Sequence, residues 1–293
     1  HIEIVSCADD NIEIFGGNVN LKYCTTLFGN DDMYDWDLGW TGKAQFLFGM
    51  KDDNTWGTDS DNGFEMDADD NKSNNLVRSH PIIYNATIIG NTKTTANTDN
   101  SALAAINAKE LTEGEIYNSI FANFKNGMNL QKSISGTRSY AAGGEAWHNW
   151  TNIAGPASAT TGNSSQSLKV VCNTFVGVTT PLTINAGLSN NAVGTPQVSG
   201  TADYIQFNTT DKNDIVSSLP GFNFNYTVNS TTNAFSVQND IIPNPALSTT
   251  GCPTTPVDGF FEPAPFRGAF SSENGQNWLS NWTYSNLVGA TKG

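Results

Sequence analysis

One short pattern recurs along this chain and limits what it can fold into. It runs aromatic or sulfur residue, Asn or Cys, small polar residue, two apolar residues, then Gly or Ala. Five segments carry it: Ile4-Val5-Ser6-Cys7-Ala8, Tyr23-Cys24-Thr25-Thr26-Leu27-Phe28-Gly29, Tyr84-Asn85-Ala86-Thr87-Ile88-Ile89-Gly90, Tyr117-Asn118-Ser119-Ile120-Phe121-Ala122 and Cys172-Asn173-Thr174-Phe175-Val176-Gly177. The offset that carries Cys7 onto Cys24 also pairs Ile2 with Val19 and Ile4 with Leu21. Apolar residues at alternate positions mark strands with one buried face. A near-constant strand with no helical period between copies buries that face by stacking on its neighbours. The expected fold is therefore all-β, a right-handed parallel β-helix (a solenoid) with long inserted loops. Residues 1–293 read as one domain and residues 251–293 as its closing segment.

In such a stack equivalent residues lie about 4.8 Å apart. That spacing predicts an amide ladder from Asn85, Asn118 and Asn173. Cys7 and Cys24 fall in the same column, where a disulfide fits the Cα range and packed thiols are the other reading. The copies at Asn85, Asn118 and Asn173 are unevenly spaced, so some turns carry large insertions. Loops at 31–75 and 133–165 are expected to form a surface beside the stack. Residues 101–113 give the best helical signal, with Asn100 placed to cap it, and stand even between helix and non-helix. Asn223-Phe224-Asn225-Tyr226-Thr227-Val228 reads as a strand, and the prolines from Pro243 to Pro265 mark an extended exit.

Only 14% of residues are charged, and Asp plus Glu number 28 against 14 Lys plus Arg, a net charge of -14. Such a chain repels phosphate backbones and anionic lipid surfaces, which excludes nucleic acid as an expected partner. No apolar run approaches the length of a membrane span. The four cysteines make no C-x-x-C and no zinc spacing. The abrupt start in a strand is expected of the C-terminal portion of a longer protein.

Three patches carry a family resemblance. The first is Asp9-Asp10-Asn11-Ile12-Glu13-Ile14-Phe15-Gly16-Gly17-Asn18-Val19-Asn20-Leu21-Lys22. The second runs from Asp31-Asp32-Met33-Tyr34-Asp35-Trp36-Asp37 through Phe46 and resumes at Asn62-Gly63-Phe64-Glu65-Met66-Asp67. The third is Phe266-Arg267-Gly268-Ala269-Phe270 with Trp278-Leu279 and Trp282-Thr283. Together they resemble uncharacterised secreted β-helix proteins of Bacteroidetes-type bacteria. The resemblance implies the fold and export to the cell surface or medium, gives Arg267 a place in a closing structural signature, and implies no defined reaction.

The acidic residues offer the clearest chemistry. Asp31, Asp32, Asp35, Asp37, Glu65, Asp67 and Asp69 supply the oxygen ligands that Ca2+ takes in numbers of six to eight, with solvated turn carboxylates as the plainer alternative. The run at 59–63 places Gly one position early for an EF-hand and is discarded. Trp36 and Trp40, and Trp147 and Trp150 beside His148, are read either as packing residues or as platforms for sugar rings. With three histidines, no G-x-S-x-G and no phosphate-binding glycine loop in a strand-turn-helix setting, nucleophilic and nucleotide-dependent catalysis find no motif. The expectation is an extracellular or cell-surface, non-catalytic protein for adhesion, glycan contact or assembly, stabilised by calcium, with polysaccharide or copies of itself as partner. The alternative is a calcium-dependent polysaccharide lyase or glycoside hydrolase.

Overall fold

The computed structural model describes residues 1–51, 62–68, 78–91, 104–110, 112–132, 146–151, 167–185, 194–223, 226–229, 234–237, 241–272, 277–280 and 282–284. Through most of its length the chain alternates between two sheets. One takes Ile2–Val5, Leu21–Leu27, Lys43–Met50, Ile82–Ile89, the pair Gly114–Tyr117 and Ile120–Ala122, the pair Leu168–Val171 and Thr174–Val176, and Asp214–Val216. The other takes Glu13–Phe15, Tyr34–Asp37, Phe64–Met66, Ala104–Ala108, Asn126–Gln131 and Thr180–Asn185. All of these pairings are parallel, and Thr195–Pro196 closes the second sheet antiparallel. Tyr226–Asn229 and Ala234–Val237 form a separate antiparallel pair.

Parallel register turns each strand position into a column of like residues. In the second sheet Tyr34, Phe64, Ile106, Met128 and Leu182 stand in register and are buried. In the first, Ile88, Phe121 and Phe175 do the same, and Phe64 meets Phe121 edge to face at 5.5 Å across the core. The described part of 101–113 therefore does not form the helix that was one reading of it, and residues 101–103 and 111 lie outside the described residues. Ala104–Ala108 is a strand, with Ile106 and Ala108 entering the core by alternation.

Six residues of the first-sheet passes, Tyr23, Phe46, Asn85, Asn118, Cys172 and Lys212, share a left-handed backbone, with φ of 56°, 56°, 57°, 50°, 59° and 55°. Each bends the chain sharply, and the bend divides Gly114–Tyr117 from Ile120–Ala122. Left-handed non-glycine residues cost about 1 kcal/mol or more, Asn less than most. Side chains just past the bend satisfy the backbone there. The Ala86 amide donates to Ser119 Oγ (3.0 Å), the Ser119 amide to Asn173 Oδ1 (2.9 Å) and the Asn173 amide to Asn213 Oδ1 (3.0 Å).

The ladder thus exists with different members from those expected. Tyr117 pairs with Val171 and Ile120 with Thr174, which puts Cys172, not Asn173, opposite Asn118. Cys24 stands opposite Ile2 instead of Cys7, and Cys7 lies beyond the end of its strand. A Cys7–Cys24 disulfide is accordingly absent and both are free thiols. The bridge joins Cys172 to Cys252, at a sequence separation of 80.

That bridge pins a C-terminal strap that runs over the outside of the bends. Asn118 Nδ2 donates to Pro253 O, Asn85 Nδ2 to Phe266 O and Lys212 Nζ to Gly251 O. Gln45 clasps the Glu262 backbone from both sides, donating from Nε2 to its carbonyl (2.9 Å) and accepting its amide at Oε1 (2.8 Å). Arg267 reaches Asn173 O, Thr174 Oγ1 and Asp214 Oδ2, and Phe270 meets Phe48 at 5.4 Å. At Gly268, with φ +90°, an added Cβ would lie 2.7 Å from Ile120 Cδ1, so the strap needs glycine there.

The denatured, unreduced protein should titrate two thiols with Ellman's reagent, and reduction should lower its unfolding free energy by about 2–5 kcal/mol. Asn213→Ala removes an acceptor and two donated bonds from a buried position. It should cost about 1–3 kcal/mol per orphaned group in urea unfolding.

Candidate functional site

The same register that stacks the core stacks polar residues on the opposite face of the second sheet. Glu13, Asp35, Glu65, Asn107, Asn129 and Thr183 are successive register partners. Trp36 and Met66 turn into the core between them. Thr183 Oγ1 donates to Asn129 Oδ1 (2.6 Å), Asn129 Nδ2 to Asn107 Oδ1 (2.9 Å) and Asn107 Nδ2 to Glu65 Oε1 (3.3 Å). The amides thus hand a chain of polarity along the sheet to a carboxylate.

At that end Asp35, Glu65 and Asp67 each bring an oxygen within 4.8 Å of the others, and each residue is 8% exposed. Lys109 lies among them, 2.7 Å from Glu65 Oε2 and 3.1 Å from Asp67 Oδ2. Asp35 Oδ1 and Asp67 Oδ1 are buried without a hydrogen-bond partner. Burial, then repulsion from Glu65, Asp67 and Asp10, pushes the Asp35 carboxyl up to about 9. Burial also raises Asp67 well above the usual range, although Lys109 opposes it. Burial works against the Lys109 charge as well, but Asp67 and Glu65 outweigh it and hold the ammonium protonated.

The remaining expected ligands are distributed around this centre. Asp31 groups with Asp9 and Asp10, and Asp10 also joins Glu13 and Asp35. Asp32 belongs to a backbone ladder, its own amide donating to Asp10 Oδ1 while its Oδ1 accepts from the Asn62 amide. Burial raises Asp32 well above the usual range and brings Asp10 to about 6. Asp37 accepts from the Leu38 amide and joins none of these groupings among the described residues. Asp69 lies outside the described residues. Lys109, Asp10 and Glu13 are additions that the sequence reading does not contain. Strand alternation at Asn107 and Lys109 was the available signal, masked by the helical spacing of the neighbouring alanines.

The tryptophans read as possible sugar platforms are packing residues. Trp36 and Trp40 are 1% exposed and meet edge to face at 5.5 Å. Trp147 and Trp150 lie on the helix Ala146–Thr151 and donate their indole N–H to Asp203 (3.1 Å) and Asp211 (2.8 Å). A ring that alternation or helix packing turns inward has no face left for a ligand.

A second charged group lies on the outer face of the first sheet. His80 Nδ1 is 3.0 Å from Glu113 Oε2 and its Nε2 3.6 Å from Glu115 Oε1. Arg78 pairs with Glu113 at 3.1 Å, Lys169 with Glu115 at 2.8 Å, and Tyr117 OH donates to Glu115 Oε2 at 2.6 Å. Bonds to Glu113 and Glu115 raise His80 to about 9, and the bond from His80 draws Glu115 down to about 2. Burial alone would raise Glu113, but His80 and Arg78 hold it below its usual range.

A family profile described as pectate-lyase like beta helix domain matches residues 1–154. No curated protein and no solved structure gives a significant match. No helix among the described residues is long and apolar enough to cross a membrane.

The two groups predict one pH response. His80 is raised from 6.5 to about 9, so its contribution is complete below about pH 6.5 and is lost as pH climbs through 9. Asp35, raised from 3.8 to about 9, binds its proton more tightly folded than unfolded, so it too favours folding less as pH rises across that span. Urea midpoints of the metal-free protein should fall from about pH 5 to about pH 9, and Asp35→Asn should flatten the fall.

Proposed function

The chain belongs to the pectate-lyase-like β-helix domain family, and on that footing we propose that it is an extracellular carbohydrate-binding protein wound as one right-handed solenoid. Its Asp35, Glu65 and Asp67 row holds a divalent cation, for which calcium fits best. The observation that carries the reading is the convergence of three buried carboxylates with two unpartnered oxygens, Asp35 Oδ1 and Asp67 Oδ1. A buried acceptor without a partner is costly, and two beside a third acid are costlier still. A hard cation relieves both the unmet hydrogen bonding and the repulsion, and oxygen is the donor it takes. Three carboxylates leave room in a six- to eight-ligand shell for water or sugar hydroxyls, while Lys109 keeps Glu65 and Asp67 in place. The Cys172–Cys252 bridge suits an oxidising, extracellular setting.

One observation favours a second reading, glycoside hydrolysis. Burial and the neighbouring acids keep a proton on Asp35 at neutral pH, the state in which a carboxyl group serves as the general acid of glycosidic cleavage.

Calcium should raise the thermal midpoint of the wild-type protein relative to chelator, by about 2.7 kcal/mol of added stability at a hundredfold excess over Kd. Asp35→Asn and Asp67→Asn should lose that response, and an unresponsive wild type would discard the cation. Retention on immobilised polysaccharide tests the carbohydrate reading. New reducing ends or unsaturated products after incubation, absent with Asp35→Asn, would replace binding with catalysis.

A further inference from the structure

We infer that the acidic row holds a second divalent cation, seated by Asp10, Glu13 and Asp35 in the gap between the first two strands of the second sheet. Glu13, Asp35 and Glu65 are consecutive register partners, so two carboxylates face each gap between levels. Asp67 completes the set at the inner gap, between Asp35 and Glu65. Asp10 completes the set at the outer gap, between Glu13 and Asp35, and the oxygens of each set lie within 4.8 Å of one another. Asp35 belongs to both sets, is 8% exposed and has a buried Oδ1 without a hydrogen-bond partner. Asn107 follows Glu65 in the column and is neutral, so the run of acids stops there.

Charge sets the number of ions. Lys109 pairs with Glu65 and Asp67, whereas no ion pair reaches Asp10, Glu13 or Asp35 among the described residues. The charges acting on Asp10 are those of Glu13, Glu65 and Asp9, and on Glu13 those of Asp9, Asp37 and Glu65, all acidic. The Asp32 amide donates to Asp10 Oδ1 and leaves that carboxylate its second oxygen. With every group ionised, the two sets and Lys109 carry five carboxylates against one ammonium, a formal charge of four negative. One divalent cation removes half of that charge, and two cancel it. Spacing selects the ion. Strand levels stand about 4.8 Å apart, so a cation midway between facing carboxylates is about 2.4 Å from each, within the range of calcium–oxygen bonds and too far for magnesium. The buried inner set fills first, where charges attract most strongly. The ion there fixes the Asp35 carboxylate between the levels, so the outer ion depends on the inner one.

The outer ion rests on the cation reading of Asp35, Glu65 and Asp67 and extends it by one gap. Counting bound ions separates the two. Equilibrium dialysis of the metal-free full chain against calcium, in potassium chloride and with magnesium as comparison, should give two bound calcium ions per chain. Glu13→Gln and Asp10→Asn should each keep the first ion and weaken the second by about tenfold or more, about 1.4 kcal/mol per decade. Asp35→Asn takes a carboxylate from both sets and should weaken both ions. Circular dichroism checks each fold, and Glu13→Gln decides if Asp10→Asn does not fold. One calcium ion in the wild type, retained by Glu13→Gln, overturns the outer ion and leaves the cation reading standing. A single ion that Glu13→Gln removes overturns the pair and takes the cation away from the Lys109 set. Two ions bound unchanged by Glu13→Gln and Asp10→Asn overturn the outer gap as the second site. A wild-type chain that binds no calcium overturns the inner and outer ions together.

Discussion

The architecture hangs on a bend repeated at one position in six passes of the chain, at Tyr23, Phe46, Asn85, Asn118, Cys172 and Lys212. Each is a left-handed residue other than glycine, so each carries a conformational cost that its surroundings must offset. On the inner side the offset is the ladder of Ser119, Asn173 and Asn213, which satisfies backbone amides that the bend turns away from the strands. On the outer side it is the strap. Tyr23 bonds to Glu262, Phe46 stacks with Phe266, Asn85 and Asn118 hold Phe266 and Pro253, Cys172 bridges to Cys252, and Lys212 holds Gly251. All six bends therefore touch one segment of the chain. The segment behaves as a splint laid along a ridge.

Stacking in register has a second effect, on charge. A column that is polar at one level brings polar groups together at every level, about 4.8 Å apart. Amides tolerate that repetition because each both donates and accepts, as Asn107 and Asn129 do. Carboxylates do not, since neighbouring like charges repel and share no proton unless one is added. The second sheet changes from amides to acids between Asn107 and Glu65. Lys109 is placed at that junction, neutralising part of what the register has concentrated, and Asp35 retains a proton for the rest. The candidate site follows directly from the fold's own periodicity.

Much of the fold is legible because it is written in local alternation. The passes from Tyr84 to Ile89 and from Tyr117 to Ala122 align correctly on their apolar positions, since both bend at an Asn. The alignment slips by one position at Asn173 and at Cys24, and by five at Cys7. In those passes the bend falls on Cys172 and Tyr23, and nothing in the residue type marks the backbone conformation. The disulfide assignment fails with the register, because Cys24 falls opposite Ile2 and Cys7 lies past the end of its strand. Of the acidic residues, Asp35, Glu65 and Asp67 are recognisable as candidates and do converge, while Lys109 is hidden inside a stretch of helical composition.

By itself the sequence determined the strand character, the parallel stacking and the set of acids from which the row is drawn. Those follow from side-chain type and a period of two, which are local properties. Tertiary structure alone decided which residues share a column, which acids meet Lys109, and that Tyr23, Phe46, Phe266 and Trp278 pack together. Those depend on the lengths of insertions between passes and on a strap that returns from the far end of the chain to Lys22 and Tyr23. Distances of that kind are set by how the chain closes on itself, and no local pattern carries them.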